Sequence, residues 1–293
     1  GDSIWIRSYK GSEGDVVIPS YIENLPVRRI DGLRPDDATE FNVESVTLPD
    51  TLQAIAQFAF YGCDKLANIQ IPASVNYIQE AYLAFYGCSS LKAIDVASGN
   101  GEYRSANGCL LSKDGKTFLL APPGLAEVSV PAGVKVIEDN AFSDGKVASV
   151  FIPEGVEELH FGVFAGAREL TDVTIPSTVK KLGKSVFWKA SSLKAVRFMG
   201  DAPEYGSSLY EDTPASLVTY VTQGSTGWLE SGSSELPYVW PLDDSPRAIR
   251  FAEESPAFYT ISYLPNGGSG VMPSQAFGAG RVWKLPPCTL KPP

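Results

Sequence analysis

The sequence predicts a repeat solenoid, a right-handed coil of short turns around a parallel β-sheet, with a small β-rich segment at its C-terminal end. Pro153 and Pro176 stand 23 residues apart, and from each the apolar positions fall at plus 3, plus 6 and plus 11: Val156, Leu159, Phe164, then Val179, Leu182, Phe187. The same unit starts at Pro49, Pro72 and Pro131, so five copies are in register. The residues before each Pro alternate as a half-buried strand does, as in Val173-Thr-Ile175. A period in the twenties marks a stack of turns, because one unit buries too little apolar area to fold alone and its neighbours complete the core.

Each element of the unit has a reason. The alternating run is a strand, and Pro, lacking an N–H, ends it. Val179 and Leu182, three apart, turn a second apolar pair inward, and the following Phe with its small neighbour occupies a short helical or 3-10 turn. Stacked at roughly 4.8 Å per strand, these positions become continuous columns.

In chain order, residues 1–45 hold spread-out pieces of the unit, Ile18-Pro19 and Val27-Arg-Arg-Ile30, and are expected to form a degenerate N-terminal cap. Residues 46–198 are the repeats; the copy starting at Pro72 carries two extra residues before Phe85, around Tyr82-Leu83. An irregular block at 97–127 interrupts them. There Lys113-Asp-Gly-Lys116 between two apolar runs predicts a β-hairpin, because Asp-Gly supplies the positive φ of a tight turn. Residues 199–241 loosen into a C-terminal cap, and 242–256 read as a linker or lone strand. Residues 257–293 begin with the alternating Phe258–Tyr263, a Gly-rich turn and a second extended piece ending at Phe277.

Bulk composition limits the function. The chain is 44% hydrophobic and 20% charged, with no apolar run long enough to span a bilayer, so no transmembrane segment is expected. A formal net charge of −10 and the absence of any Lys/Arg run argue against nucleic acid as a partner. The four cysteines are too few and too scattered for a disulfide framework, and no Cys-x-x-Cys pair offers a zinc site. No signal sequence precedes Ile4-Trp-Ile6, as would also hold for a processed chain.

The unit Ile-Pro-x-x-Val-x-x-Ile with Ala-Phe-x-Gly-Cys and Leu-x-x-Ile resembles the leucine-rich repeats of the BspA-like surface proteins, carried directly by residues 46–96 and 128–198. Asn107-Gly-Cys-Leu-Leu-Ser, Gly200-Asp-Ala-Pro203 and Gly224-Ser-Thr-Gly-Trp228 look like further family features. The run from Tyr259 to Phe277 resembles the first half of the Listeria and Bacteroides type repeat found among internalins; its second half is absent. These resemblances imply a bacterial protein, secreted or at the cell surface, that adheres to or binds a protein or host extracellular ligand and has no catalytic residue or cofactor.

The residues agree with a non-catalytic reading. His160 is the only histidine, beside Glu157 and Glu158 and at a position taken by Gly183 in the next copy, so a surface or turn residue is expected and no metal site. Without a second His, a Ser-His-Asp or Cys-His site is hard to build. Cys63 and Cys88 share one repeat position, within disulfide range on neighbouring strands; two buried thiols is the preferred reading. The Phe column is core. Ligand-binding residues are expected on the outward face of the sheet, between the buried positions: Asn68, Gln70, Asp95, Ser149, Phe151, Asp172, Thr174 and Arg197, with Phe151 as an exposed aromatic anchor. The alternative is a carbohydrate-binding module using Tyr103, Tyr205 and Trp228. An enzyme would need acids clustered in a cleft, whereas Glu157-Glu158 and Asp243-Asp244 are adjacent in sequence and read as solvated charge.

Overall fold

The computed structural model describes residues 3–11, 14–34 and 43–228, together with strands at 239–240, 247–252, 259–261 and 275–277. It is a solenoid of parallel strands. The first strand of each turn precedes the Pro, and strands of successive turns pair in register: Asn68–Ile71 with Ala93–Val96, Glu127–Ser129 with Ser149–Phe151, and Asp172–Ile175 with Ala195–Phe198, which pairs in turn with Val218–Thr222. Within these strands burial alternates, Ile69 and Ile71 inward against exposed Asn68 and Gln70, as the period of 2 requires.

A second parallel ladder, absent from the sequence reading, runs through the apolar position six residues after each Pro. Val136–Ile137, Glu158–Leu159, Lys181–Leu182 and Glu204–Tyr205 are two-residue strands that pair successively. Between the two ladders the Pro carbonyl accepts the N–H three residues on, from Leu52 to Pro49 (3.1 Å), Val75 to Pro72 (3.3 Å) and Val179 to Pro176 (3.2 Å). The Pro therefore ends one strand and opens the turn that aims the chain into the next.

The expected Phe column is a stack of rings. Centroids lie 5.2 Å apart for Phe60 and Phe85, 5.1 Å for Phe118 and Phe142, 5.2 Å for Phe142 and Phe164, and 5.6 Å for Phe164 and Phe187, with interplanar angles of 17° or less. Tyr210 ends the stack, its hydroxyl 3.1 Å from Thr219 Oγ1, so that the terminal ring keeps a buried polar partner. Next to each Phe the small residue closes a turn by donating to the Phe carbonyl, at 3.1 Å for each of Cys63, Cys88, Ala167 and Ala190. Cys63 and Cys88 are buried free thiols. The two extra residues before Phe85 are absorbed by a single helical turn, Ala81–Ala84.

The irregular block contains three strands. Tyr103–Ala106 pairs antiparallel with Cys109–Ser112 across Asn107-Gly108, both at positive φ (54° and 76°), and Cys109–Ser112 pairs antiparallel with Thr117–Leu120 across the expected Asp-Gly turn. Thr117–Leu120 then begins the second ladder of the C-terminal half by pairing parallel with Val136–Ile137. This hairpin is buried on both faces and divides the core. Leu110 and Leu120 belong to the N-terminal half, with Ile78 and Phe85; Cys109, Leu111 and Phe118 belong to the C-terminal half, with Ile137 and Phe142.

At the ends, Ile4–Ile6 pairs parallel with Leu25–Ile30, and Asp15–Val17 with Ser45–Thr47. Within 242–256, read as a linker or lone strand, Arg247–Ala252 pairs parallel with Val218–Thr222 and so extends the first ladder. Tyr259–Ile261 and Gln275–Phe277 pair antiparallel. The Gly-rich turn between them and Cys288 lie outside the described residues.

Candidate functional site

The outward side chains of the first ladder form rows, as their alternation with buried neighbours demands, but the rows are broken. After Ala93–Val96 the ladder meets the hairpin block, where Ile94 N–H donates to the Gly108 carbonyl at 2.8 Å, and resumes at Glu127–Ser129. Asn68, Gln70 and Asp95 therefore stand on one side of the break, exposed. Ser149, Phe151, Asp172, Thr174 and Arg197 stand on the other, all half-buried. Phe151 is thus half-buried rather than the exposed aromatic expected. Arg197 Nη1 lies 3.5 Å from Asp172 Oδ1 and its guanidinium packs 5.2 Å from the Tyr220 ring, so these two charges partly satisfy each other.

Two features of the opposite, turn-rich side went unread in the sequence. The first is an aromatic strip. Phe58 and Tyr61, 46% and 43% exposed, meet edge to face at 5.9 Å, Tyr61 stacks on Tyr86 at 5.7 Å, and Tyr86 meets Tyr82 at 5.5 Å. Its signal was the recurring Phe-Tyr-Gly-Cys at 60–63 and 85–88: with Phe inward, the adjacent Tyr faces out.

The second is a cleft of about 490 Å³ where the two halves meet at the hairpin. Ile78, Leu110 and Leu119 supply an apolar wall, Tyr82 and Tyr103 two rings, and Glu80, Glu138 and Asp139 three carboxylates. Tyr82 Oη donates to Asp144 Oδ2 at 2.6 Å, tying the helical turn of one half to a loop of the other. Burial, together with that carboxylate, holds the Tyr82 phenol far above its ordinary pKa, so it remains a neutral donor. Tyr103 Oη accepts the Ile78 N–H at 2.9 Å, and burial raises its phenol too.

His160 adjoins the cleft. Its Nδ1 is 3.2 Å from Glu138 Oε1 and 4.0 Å from Asp139 Oδ1, and its Nε2 is 3.5 Å from Glu158 Oε2. Glu138, Asp139 and His160 each offer one ligand atom within 4.8 Å of the others, the one such group among the described residues that could hold a metal ion. No thiol is part of it: Cys63, Cys88 and Cys109 are buried, and burial pushes the Cys109 thiol up to about 12. Of the aromatics named for a carbohydrate site, Tyr103 lines the cleft, Trp228 is buried, 4.9 Å from the Phe198 ring with its Nε1 donating to Ser225, and Tyr205 packs against the core. No helix among the described residues is long and apolar enough to cross a membrane.

Parallel ladders enclosing apolar columns and presenting ordered outer rows define a repeat scaffold of the kind that serves protein interaction. The BspA type leucine-rich repeat region matches in six copies over residues 38–107 and 118–226, and the chain belongs to that family. No curated protein matches it in sequence. Among solved structures it is similar to a leucine-rich repeat protein from Eubacterium ventriosum (20% identity, 71% of this chain and 60% of that chain, TM-score 0.52). It is also similar to the pneumococcal vaccine antigen PcpA (17%, 72% and 63%, 0.52) and to a leucine-rich cell surface protein from Faecalibacterium prausnitzii (22%, 72% and 60%, 0.50). The chain thus spans about three fifths of the length of each, and at such identities the likeness is one of fold.

Proposed function

We propose that the chain is a non-catalytic, adhesin-like scaffold, secreted or displayed on a bacterial surface, that binds a protein ligand of a host through the outward rows of its first ladder. The observation that carries this is the strict in-register pairing of strands, which fixes polar side chains at strand spacing on a rigid backbone, so little order is lost on binding. Membership of the BspA type family and the likeness to a cell surface protein support the location. The test is capture from host extracellular matrix and mucus, followed by binding to the identified protein. Asp172→Ala combined with Arg197→Ala removes an ion pair without leaving one charge alone, so the melt should hold while affinity falls at least ~10-fold, about 1.4 kcal/mol. Undiminished affinity would place the ligand on another surface.

A carbohydrate ligand is the second reading. The stacked Tyr61 and Tyr86, rather than Tyr205 and Trp228, are the rings free to receive a sugar face. A glycan array run with the parent and Tyr61→Ala checks it: saccharide retention lost in the variant supports this reading, and no retention by either ends it.

A further inference from the structure

The cleft between the halves has a lining that selects its occupant. Glu80, Glu138 and Asp139 line a space of about 490 Å³, and no Lys or Arg among the described residues does. Among the described residues no Lys or Arg pairs with Glu80, Glu138 or Asp139, although Glu157, Glu158 and Asp172 on neighbouring turns all have such partners. The carboxylates are held in place. Asp139 Oδ1 accepts the Phe161 N–H at 2.9 Å, and Glu138 is braced by His160. Beside them stand the rings of Tyr82 and Tyr103, and behind them the apolar wall.

We propose that this cleft binds the side chain of a lysine or arginine carried on an extended segment of a protein partner. An ammonium or guanidinium over a tyrosine face gains from the ring quadrupole, and far more where carboxylates replace its lost water. The alkyl stem of the same side chain covers Ala81 and Leu119, the partly exposed apolar lining in front of Ile78 and Leu110, as long basic side chains do when they bury a stem and keep the head polar. The volume lies within the roughly 300–1,000 Å³ of small-ligand pockets, which suits one or two residues and not a folded surface. A neutral sugar would leave three carboxylates uncompensated, and an acidic one would be repelled. Glu80 sits at φ 46°, in the left-handed region that favours Gly, as the turn residues Asn140, Gly162 and Ser185 of later copies do (57°, 60° and 56°), and its side chain makes no hydrogen bond as cap of the helical turn it precedes. The proposal rests on the chain being a protein-binding scaffold but uses a different surface, so variants of the two surfaces separate them.

The experiment titrates the full chain with capped pentapeptides Gly-Gly-X-Gly-Gly, where X is Lys, Arg, norleucine or Glu, followed by chemical-shift changes. Lys and Arg peptides should bind saturably, norleucine ~10-fold more weakly or worse, and Glu not at all. Glu138→Gln with Asp139→Asn should abolish the preference for Lys over norleucine. Glu80→Gly should weaken Lys binding with the melting temperature unchanged or raised, an outcome that damage to the fold does not produce. Asp172→Ala with Arg197→Ala should leave peptide binding intact even if it abolishes partner capture. Equal affinity for norleucine and Lys would overturn the proposal, as would the absence of saturable binding. Saturation by zinc chloride without any binding of the Lys peptide would also overturn it, in favour of a metal at Glu138, Asp139 and His160.

Discussion

Phe164 has a ring on each side, Phe142 and Phe187, and no exposed surface. Truncating it to Ala removes both stacking contacts and leaves a cavity in a column that cannot collapse, at about 3–5 kcal/mol. Urea unfolding should show this loss, against a change near zero for the exposed Phe58→Ala. Phe164→Asp should leave no cooperative transition, since it buries an unpaired charge. Thiol chemistry follows from burial in the same way. Cys88 Sγ donates to the Phe60 carbonyl at 3.1 Å, and the neighbouring Cys63 thiol together with burial pushes the Cys88 thiol far up, while burial alone pushes Cys109 up to about 12. Peptide mapping after alkylation at pH 8 should find Cys63, Cys88 and Cys109 unmodified until the chain is denatured. Asp114 shows the opposite shift: the N–H of Lys116 and the hydroxyl of Ser112 hold its carboxyl below its ordinary value of 3.8. A depressed folded pKa stabilises the fold at pH above the unfolded value and loses that effect as pH falls through the folded one. Asp114→Asn should therefore lower the melting temperature near pH 6 and leave it nearly unchanged at pH 2.

At the scale of the element, much was legible because the chemistry is local. Pro at a fixed interval ends strands, Asp-Gly makes a tight turn, and Phe at plus 11 is core; each needs only a few residues of context. The second ladder was not legible, because Glu158-Leu159 is two residues long and becomes a strand only when the turns beside it supply partners. Asn107-Gly108 was a visible turn signal whose first strand went unread, since Tyr103–Ala106 lacks the apolar alternation that announces a half-buried strand. The outward rows followed from period 2, yet their break after Asp95 depends on what the hairpin does in space. The cleft is assembled from segments some 60 residues apart, and no window of sequence contains it. The hairpin itself gives a sharp test. Leu110 and Leu111 are consecutive and equally buried but face different halves of the core. Leu110→Ala should lower hydrogen-exchange protection chiefly at Ile55 and Ile78, and Leu111→Ala chiefly at Ile137 and Leu159, each by about 2–5 kcal/mol. Protection lost equally in both halves from either variant would show that the hairpin couples them rather than divides them.

Across the whole molecule, the chain is two stacks that share one partition. Each residue touches chiefly the turns before and after its own, so stability is roughly the sum of turns and their contacts. Tyr210 closes the ring stack, and Arg247–Ala252 lengthens the first ladder past it. The aromatic strip lies on turn residues and the cleft beside the second ladder and the hairpin, and neither uses the outward rows of the first ladder. If both proposed surfaces bind, they can be occupied together.

The interval between Pro153 and Pro176 also makes length a quantity that changes in whole steps. Removing residues 176–198 joins Ile175 to Met199 and brings Asp172–Ile175 beside Val218–Thr222 and Glu158–Leu159 beside Glu204–Tyr205, with every column still aligned. Such a shortened chain should melt cooperatively, whereas loss of eleven of those residues should not. A protein spaced this way can change its reach one turn at a time without disturbing the columns of its core.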